Sequence, residues 1–368
     1  MAFDFLDGTR VLDLSQYLPG PSATQMLADM GADVIKIEPP QGDPLLGMSP
    51  LDGGSDGEPF YKAVNAGKSV LRIDLKSDEG KEGFKALLSR ADVMLESYRP
   101  GVMDRLGLDR DTLNAINPRL IHCALTGYGQ QGPKSGEGGH DINYIAITGG
   151  LAASGSAEMP LAGWPPAADY TGALNSVNAI LVALIRCQRT GQGAYMDIAM
   201  ADTFLAWQPW GMTGQVRGAP MQRGHDLLNG GSACYRVYET ADGRFVTLGA
   251  LEPKFWANFC RAVGREDWTA RQSESLPQSG LIDEVKTLLA SHDLVHWEQV
   301  LETADCCYQA VLDYEEAAAH PQVKLRKLVR QADDHCQVYW PAHVDGEALD
   351  GREPVQQIDL KQSINKWS

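Results

Sequence analysis

Three ionisable residues in this 368-residue chain stand in settings that suit chemistry. His140 lies in Gly138-Gly-His-Asp-Ile-Asn-Tyr144, at the close of a glycine-rich passage, and Asp169 stands where that passage gives way to an amphipathic stretch. Glu252 lies in Gly249-Ala-Leu-Glu-Pro253, at a strand end, with Pro253 placed to be the first helical residue. Imidazole and carboxyl groups are the usual side chains of general acid–base catalysis, imidazole because it titrates nearest neutrality. Each residue also has a plainer reading. A loop histidine is commonly just a polar group facing water. An aspartate ahead of a helix caps its free N–H groups and is favoured by the helix dipole, and a glutamate before proline is a helix-start acid. Residue type permits proton transfer here; spacing alone does not select it.

A second pattern, Gly127-Tyr-Gly129-Gln-Gln-Gly132, matches G-x-G-x-x-G directly after an apolar run. A dinucleotide site needs a helix to open at the third glycine and turn its N–H groups to the pyrophosphate. Pro133-Lys-Ser-Gly-Glu-Gly-Gly139 follows instead, in a chain with 38 glycines, so nicotinamide binding is not read from the match.

The residues of interest are carried by a regular alternation. Val11–Leu14, Val34–Ile37, Ser69–Leu75, Ala91–Leu95 and Leu120–Leu125 read as strands, with helices over Pro21–Met30, stopped by Gly31, and over Asp78–Ser89. Strands separated in this way predict βαβ units and a parallel sheet. Gly127–Pro166 reads as a long loop, of the kind that carries function on α/β sheets. A helix is predicted over Tyr170–Arg189, closed by Thr190-Gly-Gln-Gly193. Arg223–Gly231 reads as an interlobe linker. Beyond it come a hairpin about Asp242-Gly243 and helices over Pro253–Val263, Gly280–Ser291 and Leu294–Thr303.

Hydrophobic residues make up 43% and charged ones 22%, enough to bury a sizeable core, and the length allows two domains. With 48 acidic against 32 basic side chains the net charge is −16, which argues against nucleic acid or an anionic membrane surface as partner. Local basic groups still allow an anionic ligand. No stretch approaches the roughly 20 apolar residues of a membrane helix, and the N-terminus carries acids where a signal peptide carries bases. A cytoplasmic protein is expected. The seven cysteines form no Cys-x-x-Cys pair, so neither a zinc site nor a disulfide framework is expected.

Several motifs in order resemble the family III CoA-transferases (the CaiB/BaiF superfamily), which hold CoA transferases and α-methylacyl-CoA racemases. They are Gly8-Thr-Arg-Val-Leu-Asp-Leu-Ser15, Gly20-Pro21, Leu27-Ala-Asp-Met-Gly-Ala-Asp-Val-Ile-Lys-Ile-Glu38, Arg99-Pro-Gly101, Arg105-Leu-Gly107, Asn117-Pro-Arg-Leu120, Thr126-Gly-Tyr-Gly-Gln-Gln-Gly-Pro133 and Met196-Asp-Ile-Ala-Met-Ala-Asp202. Transferases of this kind use an aspartate matching Asp169 as nucleophile, and usually carry a later glycine run where this chain has only Gly230-Gly231. Racemases pair the aspartate with the histidine and glutamate motifs found at His140 and Glu252, which places the resemblance on the racemase branch. It implies racemisation of 2-methylacyl-CoA thioesters through an enolate, with His140 on one face, Asp169 on the other and Glu252 orienting the imidazole. Backbone N–H groups at the start of the Asp169 helix are expected to hold the enolate oxygen. The first alternative is CoA transfer between carboxylic acids through Asp169 anhydride and thioester intermediates, and the second is a catalytically silent acyl-CoA-binding protein.

Arg99, Arg105, Lys68 and Arg72 are the candidate basic partners for the CoA phosphates, and the resemblance matches Arg99 to a CoA-contacting arginine of the racemases. Gln16 is placed near the thioester, and Asp141 and Tyr144 beside His140. No cofactor is implied, CoA being part of the substrate, and no metal. Glu38 is followed by Pro39-Pro40, where many relatives place a phosphate-binding arginine. The expected fold is α/β: a Rossmann-like large domain over 1–200 with 330–368 returning to it, linkers at 201–224 and 321–329, and a small α+β domain over 225–320. Family members form interlocked homodimers, with Asp169 and Glu252 brought together across subunits.

Overall fold

The computed structural model describes residues 3–48 and 58–368. Among these residues twelve strands follow one another as β1 Arg10–Leu14, β2 Asp33–Glu38, β3 Ser69–Arg72, β4 Val93–Glu96, β5 Ile121–Thr126, β6 Ala194–Ala199, β7 Tyr235–Glu239, β8 Phe245–Gly249, β9 Tyr308–Ala310, β10 Val329–Gln331, β11 Cys336–Val338 and β12 Gln356–Gln357. Seven of them form one parallel sheet in the order β12-β3-β2-β1-β4-β5-β6. The order reverses between β1 and β4, and ligands of open α/β sheets bind outside the carboxyl ends of strands at such a switch.

The inner strands β1, β2, β4 and β5 are buried on both faces, which is why they read as near-continuous apolar runs. Val11, Val34, Val93, Leu95, Ile121 and Cys123 face one layer, packed by Ala23 and Leu27 of helix Pro19–Asp29 and by Ala173, Val177, Ile180 and Ala183 of helix Ala167–Thr190. Leu12, Leu14, Ile35, Ile37, Leu71 and Met94 face the other layer, with Phe84, Leu87 and Leu88 of helix Asp78–Leu88 and with Trp367 near the C-terminus. The helix Ala167–Thr190 is the one described helix long and apolar enough to cross a membrane by length and composition, which corrects the reading that no stretch approached that length. In the fold its buried stripe lies on the sheet.

Below the carboxyl end of β1 lies a buried polar cluster. Lys68 Nζ contacts Asp13 Oδ2 at 3.1 Å, the Pro21 carbonyl at 2.8 Å and Asn65 Oδ1 at 3.0 Å, while Lys36 Nζ donates to the Ser15 carbonyl at 2.7 Å and pairs with Asp43 at 3.0 Å. Burial alone raises the Asp13 carboxyl, but the Lys68 and Lys36 ammonium groups hold it well below the usual range. Burial likewise brings Lys68 down to about 8, against the pull of Asp13.

The chain divides into two compact units. The first comprises residues 1–148, 164–207 and 318–368; the second comprises 149–163 and 208–317. The second unit holds the antiparallel sheet β7-β8-β9, whose hairpin turns at Gly243 with φ +74°. Its core gathers Trp256, Phe259, Trp268, Val285, Leu289 and Trp297. Arg223, in the stretch that reads as a linker, donates to the carbonyls of Ser156, Ala152 and Ala157 and is built into this unit.

The passage Gly127–Pro166 is not a bare loop. It contains helix Asp141–Ile147, started by His140, whose N–H donates to Asn143 Oδ1 at 3.0 Å, and a short turn of helix at Gly150–Ala153. Tyr144, Ile145 and Thr148 recur at helical spacing and are buried, a pattern the surrounding glycines mask.

Candidate active site

Two helix starts meet in the first unit. Asp141 opens its short helix, and its Oδ1 accepts from the backbone N–H of Ala168 at 2.6 Å and of Asp169 at 3.1 Å, in the first turn of the long helix. The cap of that helix is therefore Asp141, and Asp169, expected from the sequence to cap it, stands inside the turn with its carboxyl free of that task. The same bonds correct a second expectation: the N–H groups of Ala168 and Asp169 are taken by Asp141 and are not open to an enolate oxygen. Asp169 is half-buried, and burial first, then the Asp141 charge, push its carboxyl up to about 7. Burial also raises Asp141, partly offset by the two N–H groups it accepts.

His140 adjoins Asp141 in the chain and is exposed. Tyr144, one helical turn on, donates from its hydroxyl to the Gly139 carbonyl and stacks edge-on against Tyr128 at 5.1 Å. Its ring fills the space two glycines leave. A Cβ on Gly127 would stand 2.4 Å from Tyr144 Cε1, and one on Gly139 would stand 2.8 Å from it. Burial lifts the Tyr144 phenol to about 12, with Asp169 adding and Arg99 opposing, so it remains a neutral donor. Arg99 lies against the same loop, its Nη2 2.9 Å from where a Gly138 Cβ would be. Arg99, His140, Asp141, Tyr144 and Asp169 thus share one neighbourhood. Tyr128 belongs to it as well; the sequence offered only its place in a glycine motif.

Of the other candidates, Gln16 follows β1 and its N–H donates to Ser97 Oγ at 3.1 Å, tying the loops that flank the sheet's switch point. Arg105 ends the short helix Val102–Arg105 beyond β4 and is exposed. Arg72 closes β3 and pairs with Glu38 at 3.3 Å, keeping a partly exposed guanidinium. Gln16 and Arg105 sit beyond carboxyl ends of strands, and Arg72 sits at one. Lys68 does not qualify: its side chain is 0% exposed and its three donors are bound internally, so it holds the core together and is withdrawn from the CoA-contacting set.

Glu252 belongs to the second unit. It is the N-cap residue of helix Pro253–Ala262 with Pro253 in the first helical position, and its carboxylate makes no capping bond. The Cys307 thiol is raised by burial and then by the Glu252 charge. Among the described residues no group of three or more His, Cys, Asp or Glu side chains could hold a metal ion. What the first unit assembles is a carboxyl group poised near neutrality, an accessible imidazole and a guanidinium beside them, a set suited to moving a proton on an anionic substrate.

The family model for CoA-transferase family III matches residues 6–355. The chain is 36% identical over 329 residues to the mouse (Mus musculus) α-methylacyl-CoA racemase, covering 86% of this chain and 80% of the racemase. It is 34% identical over 343 residues to a succinate–glutarate CoA-transferase of Agrobacterium fabrum, covering 88% and 84%. A crystal structure of a CaiB/BaiF family protein from Brucella suis superposes with a TM-score of 0.83 at 27% identity, covering 95% of this chain and 96% of that one.

Proposed function

The chain belongs to CoA-transferase family III, and we propose that within it the protein epimerises 2-methylacyl-CoA thioesters. One group takes the proton from the α-carbon, leaving an enolate. The other protonates the opposite face. His140 and Asp169 are the two groups, exchanging roles between epimers, and the catalyst is restored after each turnover. Glu252, carried over on its Gly-Ala-Leu-Glu-Pro motif, orients and tunes the imidazole. Arg99, Arg105 and Arg72 are assigned to the phosphates of CoA, with Gln16 near the thioester and Tyr144 supporting the His140 loop. CoA enters as part of the substrate, and no further cofactor or metal is required. A homodimer, expected at twice 40.0 kDa, is part of this reading.

The observation that carries it is the Asp141 carboxylate. It binds the helix start that bears Asp169 while adjoining His140 in the chain, and its charge adds to burial in lifting Asp169 to about 7. A carboxyl group at that value gives and takes a proton with similar ease at neutral pH, whereas a nucleophile must be ionised to attack. The test is to incubate one pure epimer without any acceptor acid. Appearance of the other epimer supports the reading, and a fully retained configuration overturns it.

The relatedness to a CoA-transferase at 34% identity favours a second reading. There the Asp169 carboxylate attacks the thioester carbonyl, the C–S bond breaks, CoA leaves as the thiolate and a mixed anhydride remains. A hydroxylamine-sensitive adduct at Asp169 supports that chemistry in place of the first.

A further inference from the structure

The loop that leaves β4 carries Arg99, and a carboxylate with no part in the proposed reaction sets its geometry. Glu96 ends β4 and is only 4% exposed. Its Oε2 accepts from the backbone N–H of Tyr98 at 2.7 Å, which folds the chain over the strand end. Between the two stands Ser97, whose Oγ accepts from the Gln16 N–H at 3.1 Å. Beyond them the Arg99 carbonyl accepts from the Val102 N–H at 3.1 Å. The carboxylate thus ties down the segment that holds both Gln16 and Arg99. From that segment the Arg99 guanidinium lies against Gly138, in the loop that leads to His140. All of these residues belong to the first unit.

A second buried group faces the other oxygen of Glu96. His122, on β5, is 7% exposed and shares a face of the sheet with Glu96, since Met94 pairs with His122 and Glu96 with Ala124. Its Nε2 stands 3.7 Å from Glu96 Oε1, too far for a hydrogen bond. Among the described residues neither ring nitrogen has a hydrogen-bond partner. The imidazole packs edge-on against Tyr195 of β6 at 4.9 Å, and the Arg110 guanidinium covers the Tyr195 ring at 4.9 Å. That packing keeps the imidazole against Glu96. Burying a carboxylate and an imidazole with so few donors costs free energy that an apolar pair would not. The chain places this costly pair at the root of the loop bearing Arg99. An acceptor walled in on one side and bonded on the other holds one loop conformation, where a solvated carboxylate would allow many.

We propose that Glu96 is a positioning residue for CoA binding: it fixes the loop after β4 so that Arg99 is preset for the phosphates, while His122 keeps the carboxylate on the Tyr98 N–H. The inference rests on the assignment of Arg99 to CoA and adds two residues that act through it. A preset guanidinium binds more tightly because less freedom is lost when the ligand arrives. A plainer role, in which the pair only steadies the end of the sheet, predicts altered melting with CoA affinity untouched in every folded variant.

The experiment is a double-mutant cycle on the full-length protein, read as calorimetric affinity for CoA alone, so that no turnover is needed. Glu96→Ala is expected to weaken CoA binding about tenfold, as loss of one charge-assisted hydrogen bond allows. Glu96→Gln still offers an oxygen to the Tyr98 N–H and is expected to stay within about twofold of the wild type. His122→Leu is expected to weaken binding about fivefold. Beside Arg99→Ala, itself weakened, Glu96→Ala and His122→Leu are each expected to add less than about twofold, because they act through Arg99. Thermal melts show which variants are folded, and His122→Leu carries the same comparison if Glu96→Ala is not. Unchanged CoA affinity in a folded Glu96→Ala or His122→Leu, or losses that persist in full beside Arg99→Ala, overturn the proposal. Unchanged affinity in Arg99→Ala alone strikes the assignment on which the proposal rests, and the proposal with it. A protein that binds CoA in this pattern but epimerises no thioester counts against the proposed reaction and leaves the role of Glu96 standing.

Discussion

Replacing Asp169 by asparagine separates the electrostatics of the site from its shape. In the folded protein the carboxyl is pushed from its ordinary 3.8 up to about 7, by burial and then by Asp141. In the unfolded chain it ionises near the ordinary value. Below about pH 4 it is protonated in both states and the folded form carries no charge penalty. Between roughly pH 4 and 7 the unfolded chain releases the proton while the folded one keeps it, so stability falls as pH rises. Above about pH 7 the folded protein holds a charged carboxylate where charge is disfavoured, and the full difference, about 4 kcal/mol at 1.36 kcal/mol per pH unit, has been lost. An asparagine at this position keeps the shape without the charge. Asp169→Asn is therefore expected to lie within about 1 kcal/mol of the wild type near pH 4.5 and to exceed it by about 2–4 kcal/mol at pH 8, while epimerisation stops. Urea denaturation followed by tryptophan fluorescence at the two pH values measures this. A variant no more stable than the wild type at pH 8 would refute the claim that the site holds Asp169 against its ordinary ionisation.

Asp141→Asn keeps an acceptor for the two N–H groups but removes the charge. The limb of the activity profile that reports Asp169 should move to lower pH, with a stability loss of about 1 kcal/mol by thermal melt. Gly139→Ala brings a Cβ to 2.8 Å from Tyr144 Cε1 and 2.9 Å from the Tyr128 hydroxyl, so about 1–3 kcal/mol of stability should be lost together with turnover, read by melt and rate assay. Lys68→Met leaves Asp13 buried with its closest ion-pair partner gone; a loss of about 3–5 kcal/mol in urea denaturation is expected, and a normally stable variant with weakened CoA binding would return Lys68 to the CoA site. Arg99→Ala should raise KM for the thioester about tenfold with little change in kcat, by steady-state kinetics.

The parallel sheet was legible because β1, β2 and β4 are buried on both faces, and Gly31 and Gly191, both at positive φ, mark turns that punctuate it. Strand β6 gave no comparable signal, since its residues are only partly buried at the sheet edge. Helix Asp141–Ile147 was hidden by the glycines that precede it, and those glycines turn out to make room for the Tyr144 ring. The types of the site residues pointed to proton transfer, but their partners did not lie nearby in the chain. Asp141 reaches its two N–H donors across 27 and 28 residues, so its capping role was assigned to Asp169. Lys68 read as a CoA-contacting candidate because its acceptors Asp13 and Pro21 lie 55 and 47 residues away.

The central claim is reversible proton transfer at the α-carbon by His140 and Asp169. Its most direct measurement is proton NMR of the protein with a 2-methylacyl-CoA in deuterated water, without acceptor acid. The account predicts loss of the α-proton signal with the thioester intact, and no loss in His140→Ala or Asp169→Asn. A persistent α-proton signal across several chain lengths, or exchange undiminished in both variants, would contradict it.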